Sequence, residues 1–207
     1  KRAEMGNKLQ GVDYVYTVNG RLKSVNHPSL DETKDPGGDG ENGGINSTFA
    51  KDMFAYTLEY HASDYSRSGS NITASAAFTT SYNGMVNGVH YKTANSTNGT
   101  VNGADYLDYS GTNQVQLTST TATEIANQYT YDKFGRLSTS VFGTYNNGTP
   151  AFTARNDYKE YGNSGIIGIA YDDNGNIINL RRNAYGISSS YFMDNIDYTY
   201  TANTNKL

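Results

Sequence analysis

Tyr129-Thr130-Tyr131-Asp132-Lys133-Phe134-Gly135-Arg136-Leu137 is the stretch on which the reading of this chain turns. Side chains alternate across a strand, so Tyr129 and Tyr131 share one face. Asp132 then opens a turn, because a short carboxylate can accept hydrogen bonds from backbone N–H groups two residues on. Lys133 and Phe134 fill the centre of a type I turn, and Gly135 takes the left-handed conformation that a side chain resists. Leu137 starts the outgoing strand, back on the core face. The stretch therefore predicts a β-hairpin of three to four loop residues closed by a glycine bulge.

The same spacing recurs. Tyr14–Leu22 reads YVYTVNGRL, Ile169–Ile177 reads IAYDDNGNI, and Tyr198–Leu207, YTYTANTNKL, is a degraded copy. Glycine follows the second ring-bearing position at one interval: Tyr16 to Gly20, Tyr131 to Gly135, Tyr171 to Gly175. An aliphatic residue follows two later, at Leu22, Leu137 and Ile177. The clearest repeats span 14–27, 129–143, 169–186 and 198–207. Their structural residues are Tyr14, Tyr16, Gly20, Leu22, Tyr129, Tyr131, Asp132, Gly135, Leu137, Tyr171, Asp172, Gly175, Ile177, Tyr198 and Tyr200. One such hairpin cannot bury its own apolar face, so copies must stack side by side.

Between the repeats, period-two alternation dominates. Phe54, Tyr56, Leu58 and Tyr60 form one face of a strand, against Ala55, Thr57, Glu59 and His61 on the other. Ile167, Ile169 and Tyr171 alternate likewise, as do Ile196, Tyr198 and Tyr200. Thr121–Gln128 could be read as helix, but the threonines around it favour strand. The expected fold class is all-β, built of antiparallel hairpins in a single 207-residue segment.

Composition agrees. Charged residues are 17% of the chain, below the usual share of about 25%. With 19 Tyr and 22 Gly, the chain lacks the aromatic-poor, highly charged signature of disorder. A thin core of tyrosine rings is expected. The net charge of −4 argues against a nucleic-acid partner, which needs clustered Lys and Arg. With no cysteine there are no disulfides, zinc–thiolate sites or thiol nucleophiles, which suits export. No apolar run approaches the roughly 18 residues of a membrane helix. The end at Asn205-Lys206-Leu207 reads as a cut inside a repeat, so a fragment of a longer protein is expected.

Tyr131-Asp132 and Tyr171-Asp172, within YTYDKFGRL and YDDNGNI, resemble the Rhs/YD-repeat family, named for that pair. LQGVDYVYTVNGRLKSVNHPSL, the DPGGDG loop and FAYTLEYHASDYSRSG look like the variety of Bacteroidetes-type surface proteins, whereas roughly 88–115 is without a match. The resemblance implies a curved, spiralling sheet that forms part of a hollow shell. Such shells often enclose a C-terminal toxin, and relatives include toxin-complex shell subunits and teneurins. It also implies a secreted or cell-surface bacterial location. The partners would be the remainder of the chain's own shell and a C-terminal cargo domain, with secretion machinery or surface glycans as further candidates.

Candidate chemistry is sparse. Asp35, Asp39 and Glu41, among flexible glycines, could offer hard oxygens to calcium, though the spacing is not that of an EF-hand and Pro36 stiffens the loop. The plainer reading is a solvated surface loop. Asp172-Asp173-Asn174-Gly175 also looks like a calcium loop, but the hairpin accounts for each of its residues. No cofactor is otherwise expected. His27, His61 and His90 share no context; His27 reads as a turn residue before Pro28, and His61 as solvated. There is no nucleophile elbow, no phosphate loop and no marked carboxylate pair, so no enzymatic activity is expected. Asn-Xaa-Ser/Thr triplets such as Asn46-Ser47-Thr48 are frequent enough to arise by chance. Tyr91, Tyr106 and Tyr109, outside the repeat pattern, are weak ligand candidates. The expected function is a non-catalytic structural segment of a large surface protein, with an adhesin or carbohydrate-binding module as the alternative.

Overall fold

The computed structural model describes residues 1–78, 81–97, 100–102, 123–161, 169–185, 190–201 and 204–206. At 95–97, 100–102, 123, 155–161, 184–185 and 190–191 it describes the backbone alone. Among these residues there are strands and no helix. They are β1 (Arg2–Met5), β2 (Gln10–Tyr16), β3 (Leu22–Val25), β4 (Phe54–Glu59), β5 (Gly88–Thr93), β6 (Asn95–Thr97) and β7 (Thr100–Asn102), then β8 (Thr123–Tyr131), β9 (Leu137–Asn146), β10 (Ala151–Tyr161), β11 (Ala170–Tyr171), β12 (Ile177–Tyr185) and β13 (Ser190–Asp197). The chain is all-β, and the registers of its described ladders are antiparallel. Ile167, Tyr106, Tyr109 and the repeat residues Gly186 and Leu207 lie outside the described residues.

The fold divides into two compact units. Unit 1 comprises Lys1–Ala126 and Thr144–Phe152, and unit 2 comprises Asn127–Gly143 and Thr153–Leu207. In unit 1, hydrogen-bonded neighbours run β1-β2-β3-β4-β5. Ser24 lies opposite Thr57, and Thr57 opposite His90. In unit 2, β10 and β11 lie in line along one edge of β12, with Glu160 opposite Arg182 and Ala170 opposite Asn179. β13 runs along the other edge, with Leu180 opposite Ile196.

Three turns, at Thr17–Arg21, Asp132–Arg136 and Asp172–Asn176, share one bonding scheme. In unit 2, Asp132 N–H donates to Arg136 O (2.9 Å) and Gly135 N–H to Asp132 O (3.0 Å). Asp172 N–H donates to Asn176 O (2.9 Å) and Gly175 N–H to Asp172 O (3.0 Å). In unit 1, Thr17 N–H donates to Arg21 O (2.8 Å) and Gly20 N–H to Thr17 O (2.9 Å). The side chain at the turn's first position accepts a further backbone bond: Asp132 from Arg136 N at 2.9 Å, Asp172 from Asn176 N at 2.8 Å, Thr17 from Arg21 N at 3.1 Å. Each turn ends in a left-handed glycine, with φ of +76° at Gly20, +78° at Gly135 and +87° at Gly175. The degraded copy closes one residue later, from Thr201 N–H to Lys206 O (2.7 Å).

A second feature repeats without having been foreseen. A tyrosine at the end of a strand or just beyond it donates its hydroxyl to the carbonyl of the aliphatic residue after the turn. Tyr171 Oη reaches Leu137 O at 2.7 Å and Tyr200 Oη reaches Ile177 O at 2.9 Å in unit 2, and Tyr60 Oη reaches Leu22 O at 2.9 Å in unit 1. The arginine of the turn covers that ring in two cases, Arg136 at 4.3 Å from the Tyr171 centroid and Arg21 at 5.5 Å from Tyr60. Tyr60 thus holds the position of a repeat tyrosine, although His61 replaces the aspartate after it.

Burial selects one of the two faces of β4 and leaves most repeat tyrosines outside the core. On β4 the buried face is Ala55, Thr57 and Glu59, whereas Phe54 is exposed and Tyr56 and Leu58 are half-buried. Most repeat tyrosines are half-buried rather than core; among the described side chains, Tyr60 and Tyr145 are the buried tyrosines. The small apolar cluster of unit 1 is Phe78, Ala126 and Tyr145, with Ala77 and Phe152 packed on it. A half-buried ring keeps its apolar body against the sheet while its hydroxyl reaches a carbonyl or solvent, as amphipathic aromatics do.

At Gly135 a Cβ would meet nothing within 4 Å, so only backbone conformation opposes a side chain there. Gly135→Val is expected to lower the unfolding free energy by about 1–3 kcal/mol, and Gly135→Asn by clearly less, because Asn tolerates the left-handed region. Urea denaturation of the two variants checks this; equal losses would show that the turn is not held by its φ. Tyr171→Phe is expected to cost about 0.5–1.5 kcal/mol by removing the bond to Leu137 O, read in the same assay.

Candidate functional sites in unit 1

The 28-residue stretch from Asn26 to Met53 joins β3 to β4 and folds back on unit 1 as a series of turns. Asp35 shapes its centre: Oδ2 accepts from Gly37 N (2.8 Å) and Asp39 N (3.3 Å), and Gly38 N–H donates to Asp35 O (3.2 Å). Asn46 Nδ2 secures Gly37 O at 2.7 Å. These bonds bring Asp35 and Asp39 to Asp13 on β2, so that one carboxylate oxygen from each lies within 4.8 Å of the others. Asn26, held at φ +54°, accepts from Asp13 N (2.7 Å) and donates to Asp52 Oδ1 (2.8 Å), which ties the fourth carboxylate to the same region.

The cation present is Arg2. Its guanidinium pairs with Asp13 Oδ2 and Asp39 Oδ1 and lies 4.6 Å over the Phe49 ring. Side chains at Gly11 and Gly37 would collide with it, so these glycines make its room. Asp39 is only 1% exposed, and the loop expected to be solvated is buried at that residue. Burial pushes Asp13 up to about 6, with Asp35 and Asp39 adding to the shift and Arg2 opposing it. Burial, then the neighbouring charge of Asp35, pushes Asp52 up to about 8. Two buried oxygens of this cluster, Asp35 Oδ1 and Asp39 Oδ2, accept no hydrogen bond. Glu41, the third ligand expected from sequence, is not in the group; its Oε2 lies beside Gly38 instead.

A second charged cluster spans the sheet itself. Lys23 Nζ donates to Glu59 Oε2 (2.7 Å), Asp64 Oδ2 (3.0 Å) and Leu58 O (2.9 Å). His90 Nε2 meets Glu59 Oε1 at 3.0 Å, and its Nδ1 is hydrogen-bonded to Glu124 Oε2. Ser75 N donates to Glu59 Oε2 (3.1 Å) and Asn147 Nδ2 to Glu124 Oε1 (2.8 Å), while the Tyr145 ring lies 4.1 Å from the imidazole. Lys23 and its partners are closed off from solvent: Lys23 is 0% exposed, Glu59 and Glu124 1%, His90 3%. The adjoining cavity, bounded by His27, Thr57 and His90, measures about 10 Å³, room for at most one water.

Sequence reading did not bring these residues together. His90 does converge with carboxylates, contrary to expectation, because Glu59, His90 and Glu124 stand on β4, β5 and β8. The available signal was a charge inside an otherwise strand-like run, as in Leu22-Lys23-Ser24-Val25 and Leu58-Glu59-Tyr60. Of the other histidines, His27 is buried in the expected turn, with Nδ1 2.7 Å from Ser29 Oγ. His61 is half-buried, its ring 4.8 Å from that of Tyr82. Asp172 spends its oxygens on Asn176 N and Nδ2, both at 2.8 Å, as the hairpin requires. Tyr91 is half-buried on β5.

No protein-family model matches the chain, and no curated protein is similar to it. The resemblance to YD repeats therefore rests on the quoted residues.

The network sets a pH dependence. Burial works against charge on His90, but hydrogen bonds to Glu124 and Glu59 outweigh it and raise its pKa. Burial likewise opposes ionised Glu59, yet His90 and Lys23 hold it below the usual carboxylate range. The His90 contribution is full below the unfolded imidazole value of about 6.5 and is lost as pH rises through the raised folded value. The Glu59 contribution is full above about 4.3 and is lost as pH falls through its lowered folded value. Melting temperature is expected to fall as pH is raised from 6 into the alkaline range, with a shallower fall in His90→Gln; a flat wild-type profile would refute the charged imidazole. Lys23→Met, which removes the buried cation shared by Glu59 and Asp64, is expected to cost about 3–5 kcal/mol in urea denaturation.

Proposed function

We propose that the chain is a non-catalytic structural segment of a large secreted or cell-surface bacterial YD-repeat protein, one that encloses or presents a C-terminal cargo such as a toxin. The supporting observation is the shared unit: one turn scheme in three copies, and one tyrosine-to-carbonyl bond in three places. A unit that bonds its neighbour through backbone carbonyls can be repeated with little regard to the intervening sequence, which suits a wall. The acid–base residues of unit 1 favour the same reading, since no substrate reaches groups as enclosed as Glu59, His90 and Glu124.

The test is electron microscopy of the parent protein that carries this segment. A hollow particle with density inside is expected, and an extended rod without a cavity overturns the proposal. A second reading, a carbohydrate-binding surface, draws on an open cleft of about 300 Å³ lined by Asp13, Tyr14, Tyr16, Pro36 and Arg67. Aromatic rings beside charged groups suit sugar recognition. A glycan array separates the two: specific binding that Tyr16→Ala abolishes favours the adhesin.

A further inference from the structure

We propose that unit 1 binds a calcium ion through Asp13, Asp35 and Asp39. This site is independent of the shell reading and differs from the ligand set that the loop suggests by itself. Oxygens bound to one Ca²⁺ at about 2.3–2.6 Å lie at most about 5 Å apart. One carboxylate oxygen from each of the three aspartates already meets that condition, lying within 4.8 Å of the others.

The second observation is independent of this clustering. Asp39 is 1% exposed, and its Oδ2 accepts no hydrogen bond. Asp35 Oδ1 is buried as well, and the Asp35 carboxylate has the Asp52 carboxyl as its side-chain neighbour. A buried carboxylate oxygen without a donor carries a large desolvation penalty, and a cation or a proton must offset it. Arg2 offsets part of it by pairing with Oδ2 of Asp13 and Oδ1 of Asp39, but leaves Asp39 Oδ2 without a donor. The loop backbone does not supply one, because its N–H groups at Gly37 and Asp39 are spent on Asp35 Oδ2.

Charge points the same way. Three carboxylates, Asp13, Asp35 and Asp39, share this region with the guanidinium of Arg2, and a divalent ion removes the remaining excess. Asp52 stands behind the three ligands, held by Asn26 Nδ2 at 2.8 Å and Gln10 Nε2 at 3.3 Å. The donors are all hard oxygens, which exclude the softer transition metals as the preferred occupant. Ca²⁺ is favoured over Mg²⁺ because the ligands come from a glycine-rich loop and one strand, an irregular set that does not impose an octahedron.

The experiment is calorimetric titration of the full chain with CaCl₂ after removal of metal by a chelator, with thermal melts alongside. One site per chain is expected, with a dissociation constant at or below about 1 mM, and a melting temperature that climbs with free Ca²⁺. MgCl₂ should bind more weakly. Asp35→Asn and Asp39→Asn should each weaken Ca²⁺ about tenfold or more, while Glu41→Gln should leave it unchanged. Asp35→Asn keeps both Arg2 ion pairs, so it decides the question even if Asp39→Asn fails to fold. No heat and no melting shift up to about 10 mM Ca²⁺ overturns the proposal, as does wild-type affinity in Asp35→Asn.

Discussion

A hydrogen bond from a tyrosine hydroxyl to a strand carbonyl recurs wherever a described repeat hairpin meets the strand beside it. The constraint behind it is general. An outgoing strand begins just past a tight turn, where its first carbonyl has left the turn's own bonding and lies at the margin of the ladder. Backbone acceptors at such a margin must be satisfied by some donor. In this chain the donor is a side chain six bonds from the neighbouring backbone, delivered by Tyr60, Tyr171 and Tyr200 to Leu22, Leu137 and Ile177. Because the acceptor is backbone, the aliphatic residue can vary while the bond survives. The turn can vary as well, with Thr17 serving as Asp132 and Asp172 do.

This arrangement explains where the apolar material goes. Of the three rings that reach carbonyls, Tyr171 and Tyr200 stay half-buried and Tyr60 is buried, so little aromatic volume is left for a deep interior. The buried face of β4 and β5 is accordingly lined by Thr57, Glu59, His90 and Lys92 rather than by the aromatic row. Buried charge is tolerable only when every group has partners. Glu59 illustrates the condition, with Lys23, His90 and the Ser75 amide around one carboxylate. Such a network specifies the positions of six separate segments of the chain more sharply than apolar contact would, since misregister would strand a charge.

The carboxylates around Arg2 are built on a different principle. There the long connection between β3 and β4 returns to β2, and glycines rather than side chains make the space: Gly11 and Gly37 admit the guanidinium, and Gly38 and Gly40 turn the loop at φ +67° and +71°. The result is an anionic pocket in a region whose sequence, rich in Gly and Asp, would be as suitable for open solvent.

How much of this was legible follows from range. The all-β class was legible from alternation along each run, and the turns at Gly20, Gly135 and Gly175 were legible because they close through bonds among residues four apart or fewer. Tertiary structure decided what meets across strands. Lys23, Glu59, His90 and Glu124 carry no common spacing, and their convergence follows from the order in which β3, β4, β5 and β8 stand in the sheet. Asp13 joins Asp35 and Asp39 in place of Glu41 for the same reason: the loop's path over β2 is set by packing and by Asn26 and Arg2, not by the spacing of acids along the loop. Alternation announces that a strand has two faces, but which face is buried depends on what lies against it, and on β4 that is a charged network rather than the aromatic row.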